Sequence, residues 1–372
     1  MLTNLPVNQI VQGHVPDILS TLPSESIDMV ITSPPYWALR DYETTDQIWG
    51  ATRLCKHDWS KGPVCVHCSA WRGQLGLEPT FEFYIRHLCD TFDQVRRILK
   101  PEGTCWVNLG DTYSGSSCGS HELRERNDLG VKVQQLYSGQ KAGKPRLPDK
   151  CLAQIPSRFA IEMCDRGWTL RNTIIWHKPN SLPTSVRDRF GVDFEHLFFF
   201  AKSKRYFFDV DAVREPHSAD KHAAGIRRAR LHGYDGHGSY ADWYFKKRKK
   251  TDWVAGRKTL SMGMHATRGR TEHKPPLIHP LGRNKRCVWT IPTKPFSGAH
   301  FAVYPPALLE TPIKAGCPKD GIVLDPFMGS GTTAVVALQL DRNFIGIELK
   351  PEYIRIANQR LRPYLAEERL AG

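Results

Sequence analysis

The sequence predicts an α/β fold in which a doubly wound, mostly parallel sheet carries helices on both faces. Short runs of β-branched and aromatic residues alternate with longer stretches whose apolar residues recur at helical spacing. Buried parallel strands joined by helices produce this alternation. We therefore predict strands at Ile27–Thr32, Thr104–Leu109, Leu170–Trp176, His196–Ala201, Ile322–Leu324 and Phe344–Glu348, and helices at Thr80–Leu99, Cys151–Asp165, Pro306–Ala315, Thr332–Leu340 and Pro351–Leu365.

Three segments interrupt this alternation. Residues 53–75 form an insertion rich in Cys and His, and residues 113–150 combine Gly, Ser and charge without a clear period, which favours a mobile loop. Residues 211–286 are basic and contain several aromatic residues. The core would then comprise residues 1–52, 76–210 and 287–372.

The charge distribution points to a polyanionic partner. The 372 residues carry 52 Lys and Arg against 38 Asp and Glu, a net charge of +14, and between Arg214 and Arg286 there are 18 Lys and Arg against six acids. No basic leader precedes an apolar segment and no run of 18 apolar residues occurs, so we expect a cytoplasmic protein outside the membrane. The ten cysteines suit reduced thiols and a metal site better than a disulfide scaffold.

Residues 321–333 read GIVLDPFMGSGTT, an apolar strand that ends in an acid, turns through two glycines and enters a helix. The glycines permit positive φ and a close approach of ligand to backbone. The next strand ends at Glu348, where a carboxylate can accept both hydroxyls of a ribose. A phosphate-binding loop would need Lys where Thr332 stands. The pattern predicts a nucleoside-type cofactor held by Asp325, Pro326, Phe327, Gly329, Ser330, Gly331, Thr332, Thr333 and Glu348.

The string SPPYW follows the first predicted strand at its carboxyl end, where ligands bind in open α/β sheets. Pro34 and Pro35 stiffen the loop and remove two N–H groups, so we expect its carbonyls to face outward. The Ser33 hydroxyl and the Pro34 carbonyl could hold both hydrogens of a base amino group and align its lone pair for methyl transfer. Tyr36 offers an aromatic face to an extruded base. Ser33, Pro34, Pro35 and Tyr36 are the catalytic candidates.

Four metal-ligand candidates lie within the insertion. Cys55 and His57 precede Cys65 and Cys68 by a short spacer, which is a ligand set suited to tetrahedral Zn²⁺. His67 is an alternative to His57. A closed four-ligand site is structural, so we expect it to brace the loop beside the catalytic motif.

These motifs resemble the DNA amino-methyltransferases in their permuted order, with TSPPYW at Thr32–Trp37 before DPFMGSGTT at Asp325–Thr333. The likeness extends over most of the chain. It implies a Rossmann-like methyltransferase fold, S-adenosylmethionine as cofactor, and His300, Phe301 and Tyr304 against the methionine part of that cofactor. Its further segments are Val11 to Leu22, Gly76–Thr80, Asn108–Tyr113, Ile174–Asn180, Glu195 to Asp209 and Ser297–Leu309.

The resemblance also assigns roles to the segments. Residues 1–52 would carry the catalytic motif, residues 287–372 the cofactor site, and the basic residues 211–286 the target-recognition region. Ser at the head of the catalytic motif resembles enzymes acting on N4 of cytosine, with N6 of adenine as the alternative. His14 departs from the family, which often has an acid there, so an adenine contact at this position is not carried over.

The partner implied is double-stranded DNA. A cognate restriction endonuclease is compatible with this function without direct contact, and no oligomeric state is predicted. Two alternatives stay open: a non-catalytic DNA-binding protein on the same fold, and a methyltransferase of RNA or of a protein amide, for which the Pro-Pro-aromatic loop is also suitable.

Overall fold

The computed structural model describes residues 5–51, 54–114, 147–217, 279, 281–293 and 304–371, with side chains to residue 365. The chain divides into two compact units, Met1–Phe208 with Cys287–Gly372, and Asp209–Arg286. Most of the predicted loop 113–150 and of the basic segment 211–286 lies outside the described residues. In the second unit, the described part contains a 3₁₀ turn at Asp211–Val213 and a backbone bridge between Glu215 and Arg283.

The first unit is built on an eight-stranded sheet with strand order β1-β10-β9-β2-β5-β7-β6-β8. All neighbouring strands are parallel except β7, which runs antiparallel to both β5 and β6. The mostly parallel sheet is therefore confirmed. The strands are β1 (Gln9–Gln12), β2 (Ile27–Thr32), β5 (Leu99–Leu109), β6 (Thr169–His177), β7 (Phe194–Ala201), β8 (Val288–Thr290), β9 (Ile322–Asp325) and β10 (Asn343–Glu348).

Two groups of helices bury two hydrophobic clusters on the sheet. In the first group, α1, α2 and α3 pack on one another over a cluster that includes Leu88, Phe92 and Phe159. In the second, α4, α5 and α6 pack over a cluster that includes Ile313 and Val336. The helices are α1 (Val15–Thr21), α2 (Phe81–Ile98), α3 (Ile155–Asp165), α4 (Pro306–Gly316), α5 (Thr332–Gln339) and α6 (Pro351–Ala371).

A separate two-stranded ribbon lies between β2 and α2 in the chain. Its strands are β3 (Gln47–Trp49) and β4 (Trp71–Gly73), which are antiparallel with Trp49 opposite Trp71. The Cys- and His-rich insertion is the connection between these two strands. The insertion is therefore anchored at both ends by one ribbon.

The sequence patterns missed the short elements. β1, β3, β4 and β8 have three or four residues and α1 has seven, which is too short for a periodic signal. β5 begins at Leu99 rather than Thr104, because the chain passes directly from α2 into the strand. α3 begins at Ile155 rather than Cys151, because Gln154 adopts a left-handed conformation with φ of 60°.

No helix in the described ranges combines the length and the apolar character needed to cross a bilayer.

Candidate active site

The catalytic and cofactor motifs lie side by side at the carboxyl ends of two central strands of the sheet. β2 and β9 are parallel neighbours, with Met29 opposite Val323 and Val30 opposite Leu324. Their carboxyl ends are joined by a hydrogen bond of 2.6 Å from Thr32 Oγ1 to Asp325 Oδ1. The two loops that follow these strands therefore open into the same space.

Hydrogen bonds to the Asp325 side chain stabilise the start of the cofactor loop, residues 326–331. Its carboxylate is fully buried and accepts hydrogen bonds from Thr32, from Thr333 Oγ1 at 2.5 Å, from Tyr304 OH at 2.9 Å and from the Phe327 backbone N–H at 3.0 Å. Burial raises the pKa of Asp325, and the hydrogen bonds oppose that rise. The carboxylate thus organises the turn instead of facing a ligand.

The glycine turn has the conformation that the sequence predicts. Gly329 and Gly331 have φ of 54° and 81°, a region that side chains rarely adopt. A Cβ on Gly331 would lie 2.8 Å from Ala357 Cβ of α6. Arg360 of the same helix donates to the Ser330 carbonyl at 2.6 Å. α6 therefore packs against the turn and stabilises it.

Glu348 ends β10 beside the turn. Its Oε2 accepts from the Gly329 N–H at 2.8 Å, and its Oε1 accepts from the N–H groups of Leu349 and Lys350 at 2.9 and 2.8 Å. Burial raises the pKa of Glu348, against these three hydrogen bonds. A carboxylate has four acceptor positions, and one remains for a ligand hydroxyl. Glu348 can therefore accept one ribose hydroxyl in this arrangement, whereas the sequence predicts that it accepts both.

The two motifs share a cleft of about 950 Å³, part of which is open to solvent. Five predicted residues are not among its described lining residues: Pro34, Tyr36, Asp325, Gly331 and Thr333. The last three support the glycine turn. His300 and Phe301 lie outside the described residues. Predicted residues that line the cleft are Ser33, Pro35, Tyr304, Pro326, Phe327, Gly329, Ser330, Thr332 and Glu348.

The remaining wall was not predicted from the sequence. The ribbon contributes Gln47 and Trp49, and Gln74 follows β4. His14 also lines the cleft, and its Nε2 is buried without a hydrogen-bond partner among the described residues. Burial lowers the pKa of His14 despite the nearby Asp17. A neutral imidazole nitrogen is thus available to a ligand.

The catalytic loop, residues 33–37, is braced by α2 and by the segment that precedes it. Tyr84 OH donates to the Pro35 carbonyl at 2.8 Å, so the expectation that this carbonyl faces outward was wrong. The Pro34 carbonyl accepts no hydrogen bond from the residues that the structure describes. A Cβ on Gly76 would lie 2.9 Å from the Tyr36 carbonyl, which explains a glycine at this contact. Pro35 both lines the cleft and is supported through its carbonyl, whereas Pro34 is buried and is not among the described lining residues.

A polar network connects the catalytic loop to β5, β6 and β7. Ser33 Oγ donates to Tyr36 OH at 3.2 Å, and Tyr36 OH donates to Glu195 Oε2 at 2.7 Å. Asn108 Nδ2 donates to both Tyr36 OH and Glu195 Oε2, at 2.6 and 2.7 Å, while Lys178 Nζ pairs with Glu195 Oε1. Burial and the Glu195 charge raise the pKa of Tyr36 well above its usual value. Sequence motifs covered these segments but did not identify the network.

A buried acid–imidazole pair lies beneath the ribbon. Glu78 Oε1 is 3.2 Å from His87 Nδ1, and neither side chain is exposed. The His87 ring is stacked with both Trp49 and Trp71 of the ribbon. Burial raises the pKa of Glu78 to about 8 and lowers the pKa of His87 to about 3. Both groups are therefore held neutral, because the interior disfavours their charged forms.

The predicted metal ligands converge. One ligand atom from each of Cys55, His57, Cys65 and Cys68 lies within 4.8 Å of the others. The Sγ atoms of Cys55 and Cys65 are 3.8 Å apart, and Cys68 Sγ is 3.4 Å from His57 Nδ1. A tetrahedral Zn²⁺ site has edges of about 3.8 Å between sulfurs and about 3.5 Å between sulfur and nitrogen. These residues fit a zinc ion, and His57 rather than His67 completes the group.

The fold and the cleft define a class of protein: an open α/β protein whose cleft lies at the carboxyl ends of two adjacent parallel strands, between a proline-containing loop and a glycine turn. The chain belongs to the N6/N4 DNA methylase family, whose sequence pattern matches residues 27–359.

Related proteins match nearly the full length of this chain. It is 32% identical over 363 residues to the type II methyltransferase M.SmaI of Serratia marcescens, covering 96% of this chain and 92% of that protein. It is 33% identical over 350 residues to M.XycI of Xanthomonas campestris pv. cyanopsidis, covering 94% and 86%. Among solved structures, the cytosine-N4-specific PvuII DNA methyltransferase matches with a TM-score of 0.53 at 18% identity, covering 95% of this chain and 85% of that one. This last likeness shows the fold.

Proposed function

We propose that the protein transfers a methyl group from S-adenosylmethionine to the exocyclic amino nitrogen of a base flipped out of duplex DNA, with N4 of cytosine as the favoured target. The observation that carries this proposal is that Ser33 and the glycine turn at Gly329 line one cleft. A methyl donor on the turn and an acceptor amino group at Ser33 would therefore meet without a change of fold. Family membership as a DNA methylase supports the same reaction.

The donor half would be held by residues that remain available to a ligand. Glu348 keeps one acceptor position for a ribose hydroxyl, and His14 keeps a free ring nitrogen. Tyr304 is hydrogen-bonded to Asp325 and lines the cleft, which supports the contact with the methionine part that the resemblance implies. When bound, S-adenosylmethionine supplies a methyl group on a positively charged sulfur.

The acceptor half would be organised by Ser33 and Pro34. The Ser33 hydroxyl donates a hydrogen bond to Tyr36 OH, so the lone pairs of Ser33 Oγ can accept a hydrogen bond from the base amino group. Pro34 is buried and is not among the described lining residues of the cleft, so its carbonyl stays a sequence-based prediction for the second hydrogen. Two fixed acceptors align the nitrogen lone pair with the methyl group, which is preorganisation for an in-line transfer.

Ser33 at the head of the motif favours cytosine N4, and adenine N6 is the second candidate. Both amino groups present two hydrogens, so the loop alone does not choose between them. Mass spectrometry of nucleosides from DNA methylated by the protein distinguishes the two products.

Duplex DNA would approach the edge that carries the catalytic loop. The connection between β6 and β7 reaches this edge, and its Leu182 and Phe190 side chains are 92% and 94% exposed. Arg187 and Arg189 precede Phe190 in the chain and are also exposed. Cations beside exposed apolar side chains suit a phosphate backbone and an opened base stack. The basic segment 211–286 stays the predicted target-recognition region, and a cognate restriction endonuclease stays a prediction of the resemblance.

We further propose that Cys55, His57, Cys65 and Cys68 hold a structural zinc ion. Four protein ligands leave no open position for a substrate. The ion would close the connection of the ribbon, and Gln47 and Trp49 of that ribbon line the cleft. Its expected role is therefore to stiffen one wall of the donor site.

The direct test is transfer of labelled methyl from S-adenosylmethionine to mixed-sequence duplex DNA, with RNA at the same salt concentration as the comparison, followed by mass spectrometry of nucleosides. We expect N4-methylcytosine in DNA. Tight DNA binding without incorporation would instead favour a non-catalytic DNA-binding protein, and N6-methyladenine would select the second candidate.

A further inference from the structure

Methylation of an amino group leaves one proton too many on the nitrogen. A Ser hydroxyl can pass a proton on, but it cannot retain one at neutral pH. The catalytic loop itself contains no carboxylate, since its residues 33–37 read SPPYW. A proton acceptor must therefore come from another element or from solvent.

We propose that Glu195 is this acceptor and that Ser33 and Tyr36 conduct the proton to it. The three side chains form a continuous chain of hydrogen bonds, from Ser33 Oγ to Tyr36 OH at 3.2 Å and from Tyr36 OH to Glu195 Oε2 at 2.7 Å. Every donor in this chain already points away from the cleft. The proposal rests on the proposed function, because it concerns the proton released by that reaction.

The nitrogen lone pair forms the new N–C bond, and the electron pair of the broken S–C bond stays on sulfur. One amino proton moves to Ser33 Oγ, the Ser33 hydroxyl proton moves to the Tyr36 oxygen, and the Tyr36 proton moves to Glu195 Oε2. Ser33 and Tyr36 end unchanged, and Glu195 is a neutral acid that later loses its proton to water.

The surroundings of Glu195 suit both the uptake of a proton from Tyr36 and its later release to water. Lys178 at the end of β6 stabilises the carboxylate before the reaction, and Asn108 of β5 orients it. Tyr42 and His196 are the other titratable groups that interact with its charge. The Glu195 and Lys178 side chains are 17% and 19% exposed, so water can reach the pair and remove the proton.

Glu195→Gln tests the relay, because the amide keeps an oxygen acceptor for Tyr36 but cannot take up a proton. The probe is single-turnover transfer of labelled methyl from S-adenosylmethionine to unmodified genomic duplex DNA between mildly acidic and mildly alkaline pH. We expect a rate loss of about 100-fold, within the range of general base catalysis, with unchanged affinity for donor and DNA. The wild-type rate should fall toward acid, and Glu195→Gln should remove that fall.

Two further variants separate the relay from charge balance. Glu195→Gln leaves the positive charge of Lys178 without its carboxylate partner. The double variant Glu195→Gln with Lys178→Met removes this unpaired charge. We expect the double variant to stay slow, and Tyr36→Phe, which keeps the ring, to show a comparable loss. A double variant restored to the wild-type rate, or a Glu195→Gln rate within about threefold of wild type, would overturn the relay, since general base catalysis is worth far more. Absence of transfer by the wild-type protein would overturn the proposed function and the relay with it.

Discussion

Thr32 donates a hydrogen bond of 2.6 Å to Asp325, and this contact joins the last residues of two neighbouring parallel strands. The residue after Thr32 begins the catalytic loop, and the residue after Asp325 begins the cofactor loop. This buried contact therefore sets the spacing between the first residues of the two loops. Both side chains are fully buried, so the bond is shielded from water.

Thr32→Val should lower the free energy of unfolding by about 1–3 kcal/mol, because it removes a donor from a buried carboxylate while keeping the side-chain shape. Denaturant unfolding measures this change. Thr173→Val, an exposed threonine on β6, is the matched control and should alter stability little. Equal stability of the two variants would contradict the role given to the Thr32–Asp325 bond.

Glu348→Gln should weaken binding of S-adenosylmethionine by roughly 10- to 100-fold, the usual worth of a hydrogen bond to a charged group. The amide would also place an N–H group among the backbone donors of Gly329, Leu349 and Lys350. Isothermal titration with the cofactor measures the effect. Glu352→Gln, on the exposed side of α6, should bind as the wild type does. Unchanged affinity in Glu348→Gln would remove Glu348 from the donor site.

Glu78→Gln should change how stability depends on pH. Burial raises the pKa of Glu78 from 4.5 to about 8, so the folded state holds a proton that the unfolded state releases. This contribution is complete below pH 4.5 and is lost as pH rises through about 8. The pKa of His87 is lowered from 6.5 to about 3, so His87 contributes a gain in stability that offsets this loss up to pH 6.5. The wild-type protein should therefore lose stability mainly between pH 6.5 and about 8, and Glu78→Gln should flatten that decline. Unfolding at a series of pH values, with the exposed Glu310→Gln as control, measures it. A decline that persists in Glu78→Gln would show that another group causes it.

Cys65→Ser should abolish binding of one zinc ion per chain, because it removes one of the four proposed ligands. It should also weaken cofactor binding, because the ion would hold together the connection of the ribbon that lines the cleft. Elemental analysis of the purified protein measures the metal. Cys164→Ser, an exposed cysteine on α3, is the matched control and should retain it. Full zinc content in Cys65→Ser would contradict the ligand assignment.

The long elements of the fold were predictable because their patterns are long. α2 and the strands β2 and β10 agree with the predictions to within one residue at each end. The convergence of the cysteine ligands was also predictable, since their spacing is short. In each case the information is local in sequence.

The walls of the site were not predictable in this way. Glu195 and Asn108 are 87 residues apart, and neither stands in a strong motif, but antiparallel pairing of β5 with β7 brings them together. The ribbon strands are three residues long and carry no periodic signal. Only the three-dimensional pairing of strands reveals these contacts.

Ser33→Ala tests most directly whether one cleft binds the methyl donor and the target base at two separate ends. Cofactor affinity and single-turnover methyl transfer are the two quantities to measure. We expect wild-type affinity for S-adenosylmethionine and a transfer rate lower by about 100-fold or more, as for the loss of one preorganised polar group. Transfer at the wild-type rate, or a loss of cofactor binding as large as the loss of transfer, would contradict it.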